Sequence, residues 1–139
     1  MGKKYLKNMD MDAMNRILCQ IVKKTEEEGI IFLNLDFCGE KLGVMSVGGD
    51  FKLSQNVWAE FKESDVMISL SPNISARNKF FSKVKTISHN SILSRVVFDF
   101  HNQEIFSLIS YEAVRDLKIK EGEFYYWFVK SSGIVLFEE

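Results

Sequence analysis

Apolar and polar positions alternate with a period of two along much of this chain. Ile31, Leu33, Leu35 and Phe37 are interleaved with Phe32, Asn34 and Asp36, the pattern of a strand with one face turned to a core. Val96, Phe98 and Phe100 alternate in the same way with Arg95, Val97 and Asp99. Further short strands are predicted over 17–23, 41–47, 57–61 and 66–70, and again over 80–86, 105–109, 124–129 and 134–137. Glu28-Gly29, Cys38-Gly39, Gly48-Gly49-Asp50, His89-Asn90-Ser91 and His101-Asn102 supply residues that tolerate tight or positive-φ backbone between them. The charged run 24–28 reads as a solvated hairpin loop. One helical turn stands out at 111–117, with Ser110 as its N-cap and Glu112 in its first turn, where an acid favours the helix start.

These elements repeat. Leu35-Asp36-Phe37 matches Phe98-Asp99-Phe100 at an offset of 63, and Asn15-Arg16 matches Asn78-Lys79 at the same offset. Residues 40–46 match 104–110 with one residue inserted, and 61–66 match 129–134. The first copy lacks about four residues where the second has its helical turn, and Gly48-Gly49-Asp50 fills the gap. Two copies of five short strands predict a mainly all-β chain of two tandem OB-like small barrels, the second with a short helix. The expected division is an N-terminal tail over 1–11, a first unit over 12–71, a linker over 72–74 around the sole proline, Pro72, and a second unit over 75–139.

Composition narrows the functional classes. A chain of 139 residues suffices for one ordinary domain or two small barrels, and 12 Phe supply ample core. Lys and Arg nearly balance Asp and Glu, for a net charge of −1, so binding to nucleic acid driven by overall charge is not expected. Cys19 and Cys38 have no metal-type spacing and sit in apolar stretches, which reads as buried free thiols in a reducing cytosol. No apolar run approaches the roughly 20 residues that span a bilayer, and the lysine-containing N-terminus has no apolar signal core behind it. A cytoplasmic protein is expected. Phosphate-loop, dinucleotide, zinc-hydrolase and Ser-His-Asp patterns are all missing from the sequence, so no enzyme is predicted.

The chemistry concentrates in two short motifs, Ser75-Ala76-Arg77-Asn78 and Val129-Lys130-Ser131-Ser132. Arg77 offers several donors in a planar fork and Lys130 a compact charge. Ser75, Ser110, Ser131, Ser132 and the backbone N–H groups around Ala76 add neutral donors. Such a set can hold a small tetrahedral dianion, whose burial demands compensating charge and a donor for nearly every oxygen. Taken alone, Arg77 reads as a surface ion-pair partner and Lys130 as a solvated strand-end lysine; the case rests on their pairing. Asn15 and Asn78 read as residues that hydrogen-bond backbone at turns. The aromatic run 124–128 alternates between the two faces of a strand, which favours core packing plus a subunit interface over a base-stacking platform.

The second copy resembles the Mop (TOBE) molybdate-binding domain family nearly end to end. The resemblance is carried in order by Ser75-Ala76-Arg77-Asn78, Ile109-Ser110-Tyr111-Glu112-Ala113-Val114, Lys120-Glu121-Gly122 and Val129-Lys130-Ser131-Ser132. Ala113 stands where the family often has serine. In the first copy Asp12-Ala13-Met14-Asn15 replaces the opening motif, so the arginine is missing; Ala13, Ser46, Lys62 and Ser64 remain as a second candidate set. Tandem copies are similar to small cytoplasmic molybdate-binding proteins and to the sensory part of molybdate-responsive transcription regulators. The resemblance implies molybdate or tungstate as bound ligand with no organic cofactor. It also implies a homo-oligomer with oxyanion sites where barrels of the same or neighbouring chains meet. The expected function is reversible oxyanion binding for intracellular storage, buffering or homeostasis. The alternatives are the effector domain of such a regulator and a nucleic-acid-binding OB module, the latter disfavoured by charge.

Overall fold

The period-two segments form two curled antiparallel sheets of five strands each in the computed structural model, which describes residues 4–5 and 13–139. A two-residue strand, β1 (Lys4–Tyr5), pairs in parallel with a strand of the second sheet; the rest of the 1–11 tail and Asp12 lie outside the described residues. The first half of the chain supplies β2 (Met14–Glu27), β3 (Ile30–Phe37), β4 (Glu40–Val47), β5 (Asn56–Lys62) and β6 (Met67–Ser69). The second supplies β7 (Asn78–His89), β8 (Leu93–Phe100), β9 (Gln103–Ser110), β10 (Phe124–Val129) and β11 (Val135–Glu138), with helix α1 (Tyr111–Leu117) between β9 and β10. This is the tandem OB-like arrangement with one short helix. Ser110 caps α1 as predicted, its hydroxyl accepting from the Ala113 N–H at 3.0 Å.

Each sheet takes its outermost strand from the other half. The orders are β11-β5-β2-β3-β4 and β6-β10-β7-β8-β9. β6 of the first half pairs with β10, and β11 of the second pairs with β5. The two halves are also joined by one core. Phe61 of the first half stacks on Trp127 of the second, with ring centroids 6.1 Å apart. Phe37 packs on Phe100, which with Phe80 surrounds the same indole. The buried indole N–H finds Ser82 Oγ at 3.0 Å, so the largest core side chain leaves no polar atom unpaired.

The repeat is tighter than the sequence alone indicated. The hairpin turns Cys38-Gly39 and His101-Asn102 both have two residues with positive φ, the geometry that matches the twist of the flanking strands. Phe37 pairs with Glu40, and Phe100 with Gln103, so the offset stays at 63 through β4 and β9. The expected one-residue insertion before Glu104 is therefore corrected. Ser46 corresponds to Ile109, not to Ser110. The offset grows only afterwards, to 68 at Asn56 and Phe124, where α1 is added. Bulges also recur in register, between Ile21 and Lys23 in β2 and between Val84 and Thr86 in β7; such bulges bend strands and curl sheets. Residues 24–27 continue β2 rather than forming a loop, and only Glu28-Gly29 makes the turn.

Reciprocal asparagines fix the two halves against each other. Asn15 at the start of β2 accepts from the Phe106 N–H at 2.7 Å and donates to the Phe106 carbonyl at 2.9 Å. Asn78 at the start of β7 does the same to Gly43, at 2.6 and 2.8 Å. Both pairs obey the 63-residue offset, so a pseudo-two-fold relates the halves. The asparagines do hydrogen-bond backbone, but on the facing edge strand of the other half rather than at a local turn.

Asn78→Ala strips partners from a buried N–H and a buried carbonyl, which predicts a loss of about 2–4 kcal/mol in denaturant unfolding. The thiols divide as well. Cys19 is buried as expected, and burial, followed by the charges of Asp36 and Cys38, pushes its pKa up to about 12. Cys38 is exposed, contrary to the expected burial, because the left-handed turn carries it off the core face. Alkylation near pH 8 is expected to label Cys38 alone in the folded protein and Cys19 only after denaturation, as peptide mapping will show.

Candidate functional site

The pairing of β7 with β10 brings the two motifs together. Asn78 pairs with Val129 at the last rung of that ladder, so the next positions outward are Arg77 on one chain segment and Lys130 on the other. Ala76 and Ser131 come next. The strand ends in a short 3-10 turn over Ser131–Gly133, closed by the Gly133 N–H on the Lys130 carbonyl at 2.8 Å. Arg77, Lys130, Ser75 and Ser132 are exposed, Ser131 is half-buried and Ala76 is buried. Among the described residues, neither cationic side chain has a hydrogen bond or ion pair. Two positive charges and a cluster of small donors thus share one strand end.

The first half of the chain supplies the facing wall. Because Asn78 holds both backbone groups of Gly43, β4 lies against the turn that carries Ser131. A Cβ on Gly43 would lie 3.5 Å from Ser131 Oγ and 2.7 Å from Cζ of Phe32. The Phe32 ring therefore takes the space that a side chain at Gly43 would need, while Ser131 Oγ stands at ordinary contact distance from that position. Phe32 and Gly43 were not among the residues picked from the motifs. Their signal in the sequence was only a glycine inside a strand pattern, which marks a close neighbour without naming it.

Other expected members lie elsewhere. Ser110 pairs with Leu93 at the end of β9 and caps α1. That is the end of the second sheet away from Asn78, so this chain does not itself bring Ser110 to Arg77. Ser46 donates to the Gly48 carbonyl at 3.1 Å and pairs with Ile31, also distant from the strand end that carries Lys62.

Of the second candidate set, Ala13, Lys62 and Ser64 do come together. Met14 pairs with Lys62, the rung equivalent to Arg77 and Lys130, and the Glu63 N–H donates to the Ala13 carbonyl at 3.0 Å. Lys62 and Ser64 are exposed and Ala13 is half-buried. Between them lies Glu63, whose side chain is fully buried. Its carboxylate accepts from the Ala13 N–H at 2.8 Å and, in a bidentate pair, from Arg95 Nε at 2.7 Å and Nη2 at 2.8 Å. Arg95 arrives from β8 of the other half. Short range in sequence could not reveal it, since 32 residues separate the partners.

On the outer faces the aromatic run alternates as expected. Tyr125 and Trp127 are buried, while Phe124 is exposed and stacks on Phe81 at 5.6 Å, with Tyr126 at 4.7 Å from the same ring. Three aromatics therefore share an outer patch once the neighbouring strand is included.

No family model matches the chain, and no curated protein matches it in sequence. Among solved structures it is similar to the cytoplasmic molybdate-binding protein ModG in a form with molybdate bound. The likeness has a TM-score of 0.83 over 96% of this chain and 100% of that one, at 20% identity. At that identity the likeness is one of fold.

Proposed function

We propose that this chain binds molybdate or tungstate reversibly in the cytoplasm and serves storage, buffering or sensing of the oxyanion rather than catalysis. The observation that carries the reading is the strand end where Arg77 and Lys130 meet beside Ser131, at the joint of the two halves. Two formal positive charges match the charge of a tetrahedral dianion. The guanidinium fork, the ammonium and the hydroxyls of Ser75, Ser131 and Ser132 offer donors in several directions. The fold likeness to a molybdate-bound protein supports the same ligand class.

The open side of this site favours closure by a neighbour. Arg77 and Lys130 are exposed, and a dianion held only at a surface is weakened by water and salt. A homo-oligomer would cover it, and exposed apolar side chains support one. Phe81, Phe124 and Met67 lie on the outer face of one sheet, and Met14, Val135 and Phe137 on that of the other. In such an assembly Ser110 of one chain can serve a site on another, which accounts for its distance from Arg77 within the chain.

Molybdate at a hundred times its dissociation constant is expected to stabilise the fold by about 2.7 kcal/mol, a rise in melting temperature of roughly 8 °C for a chain of this length. Tungstate acts likewise, and sulfate is the control for charge alone. Arg77→Ala removes a charged partner of a bound anion and is expected to weaken binding by about a hundredfold or more. A melting curve that millimolar molybdate and tungstate leave unmoved counts against the whole reading.

A further inference from the structure

The two strand ends are related by the pseudo-two-fold, yet they carry opposite solutions to one electrostatic problem. Met14 and Lys62 stand where Arg77 and Lys130 stand, and Glu63 stands where Ser131 stands. On the facing wall Arg95 is the counterpart of Phe32, and Phe106 the counterpart of Gly43. The second half therefore presents two cations, Arg77 and Lys130, around a neutral serine turn. The first presents two cations, Lys62 and Arg95, around a buried carboxylate. Glu63 accepts from the backbone N–H of Ala13, the residue equivalent to Ala76, and takes the Arg95 guanidinium in a two-point grip. These are a backbone amide and a cationic fork, the donor types that an oxyanion requires.

We propose that the Glu63 carboxylate is a built-in occupant of the first-half anion pocket. It fills the place that a free oxyanion takes in the second half, so the native chain binds ligand at the Arg77–Lys130 end only. The first-half pocket is a closed oxyanion site, open to an oxyanion from solution once Glu63 is removed. Taking away the carboxylate leaves the Arg95 fork without the acceptor that grips it at two points. It also leaves the Ala13 N–H without its acceptor. Asp65, in the same turn, is exposed rather than turned into the contact. Arg95 is four-fifths buried and Glu63 wholly so. The pair is thus part of the joint between the halves and not a surface ion pair of marginal effect.

This inference rests on the oxyanion reading above, and its test separates the two. Equilibrium dialysis with molybdate is run on the wild-type chain, Glu63→Ser, and Glu63→Ser combined with Arg95→Met. The expected result is that Glu63→Ser takes up one further equivalent per chain, which the double variant loses. A folded Glu63→Ser chain with wild-type uptake overturns the inference and leaves the second-half site standing. Uptake by Glu63→Ser alone, with none by the wild type, overturns the functional reading and the second-half site, and keeps only the closed first-half pocket. No uptake by any chain overturns both. Should Glu63→Ser be too unstable to titrate, Glu63→Leu with Arg95→Leu replaces the ion pair by apolar packing. Wild-type uptake by that chain supports a filled first-half pocket, and a loss of one equivalent per chain overturns it.

Discussion

Everything distinctive about this fold depends on two asparagine side chains that act as pieces of backbone. β4 and β9 are edge strands of their sheets, and an edge strand carries N–H and carbonyl groups that need partners. A carboxamide can present one of its N–H donors and its carbonyl acceptor at the spacing of a peptide group, so Asn15 and Asn78 each complete a single rung on the opposite half. The two-point geometry fixes position as well as distance. It sets the first residues of β2 and β7 against the middle of β9 and β4, and everything just beyond those strand ends is positioned as a consequence. The exchange of β6 and β11 between sheets and the stacking of Phe61 on Trp127 follow the same symmetry. They make the halves a single folding unit with one core.

That scaffold is symmetric and its chemistry is not. Gly43 makes room for the Phe32 ring beside the serine turn, whereas Phe106 at the equivalent position accompanies a buried ion pair. An isolated buried carboxylate would be severely destabilising. Glu63 avoids this with three donated hydrogen bonds from groups held by two different elements. Its neighbour Lys62 is exposed and needs no such compensation. A single difference in the repeat, glutamate against serine, is therefore accompanied by a second difference across the joint, arginine against phenylalanine. The two make sense only together.

The sequence made the strands legible because each buries one face, and alternation of Ile31, Leu33 and Leu35 or of Val96, Phe98 and Phe100 reports that directly. It made the repeat legible because duplicated strands keep duplicated apolar positions. Alternation identifies a segment as a strand but does not say which sheet it joins, so the crossing of β6 to β10 and of β11 to β5 was hidden. Register near the β3–β4 turn was also misplaced, since matching Glu40 to Glu104 by identity overrode the two-residue turn common to both halves. The motifs around Arg77 and Lys130 could be paired by analogy with a family. Glu63, one residue from Lys62, carries no local signal, because its partner Arg95 lies on another strand. The repeat itself marks both, since each replaces a residue of different character at a fixed offset.

A duplicated barrel whose two ends remained open would carry two uncompensated cationic clusters at its central joint. Each would repel itself whenever ligand was scarce, and each would tie the stability of the joint to the anion concentration. The Glu63 carboxylate offsets the buried cation of one of those clusters permanently, with a charge that belongs to the chain, and leaves only the exposed Lys62 beside it. On the proposed reading, only the Arg77–Lys130 end then responds to the anion, and the two functions of the joint are divided. One end holds the halves together whatever the ligand supply. The other keeps its cations exposed and without protein partners among the described residues, so that charge compensation there arrives from solution. Such a division lets a small protein release its ligand without loosening its core.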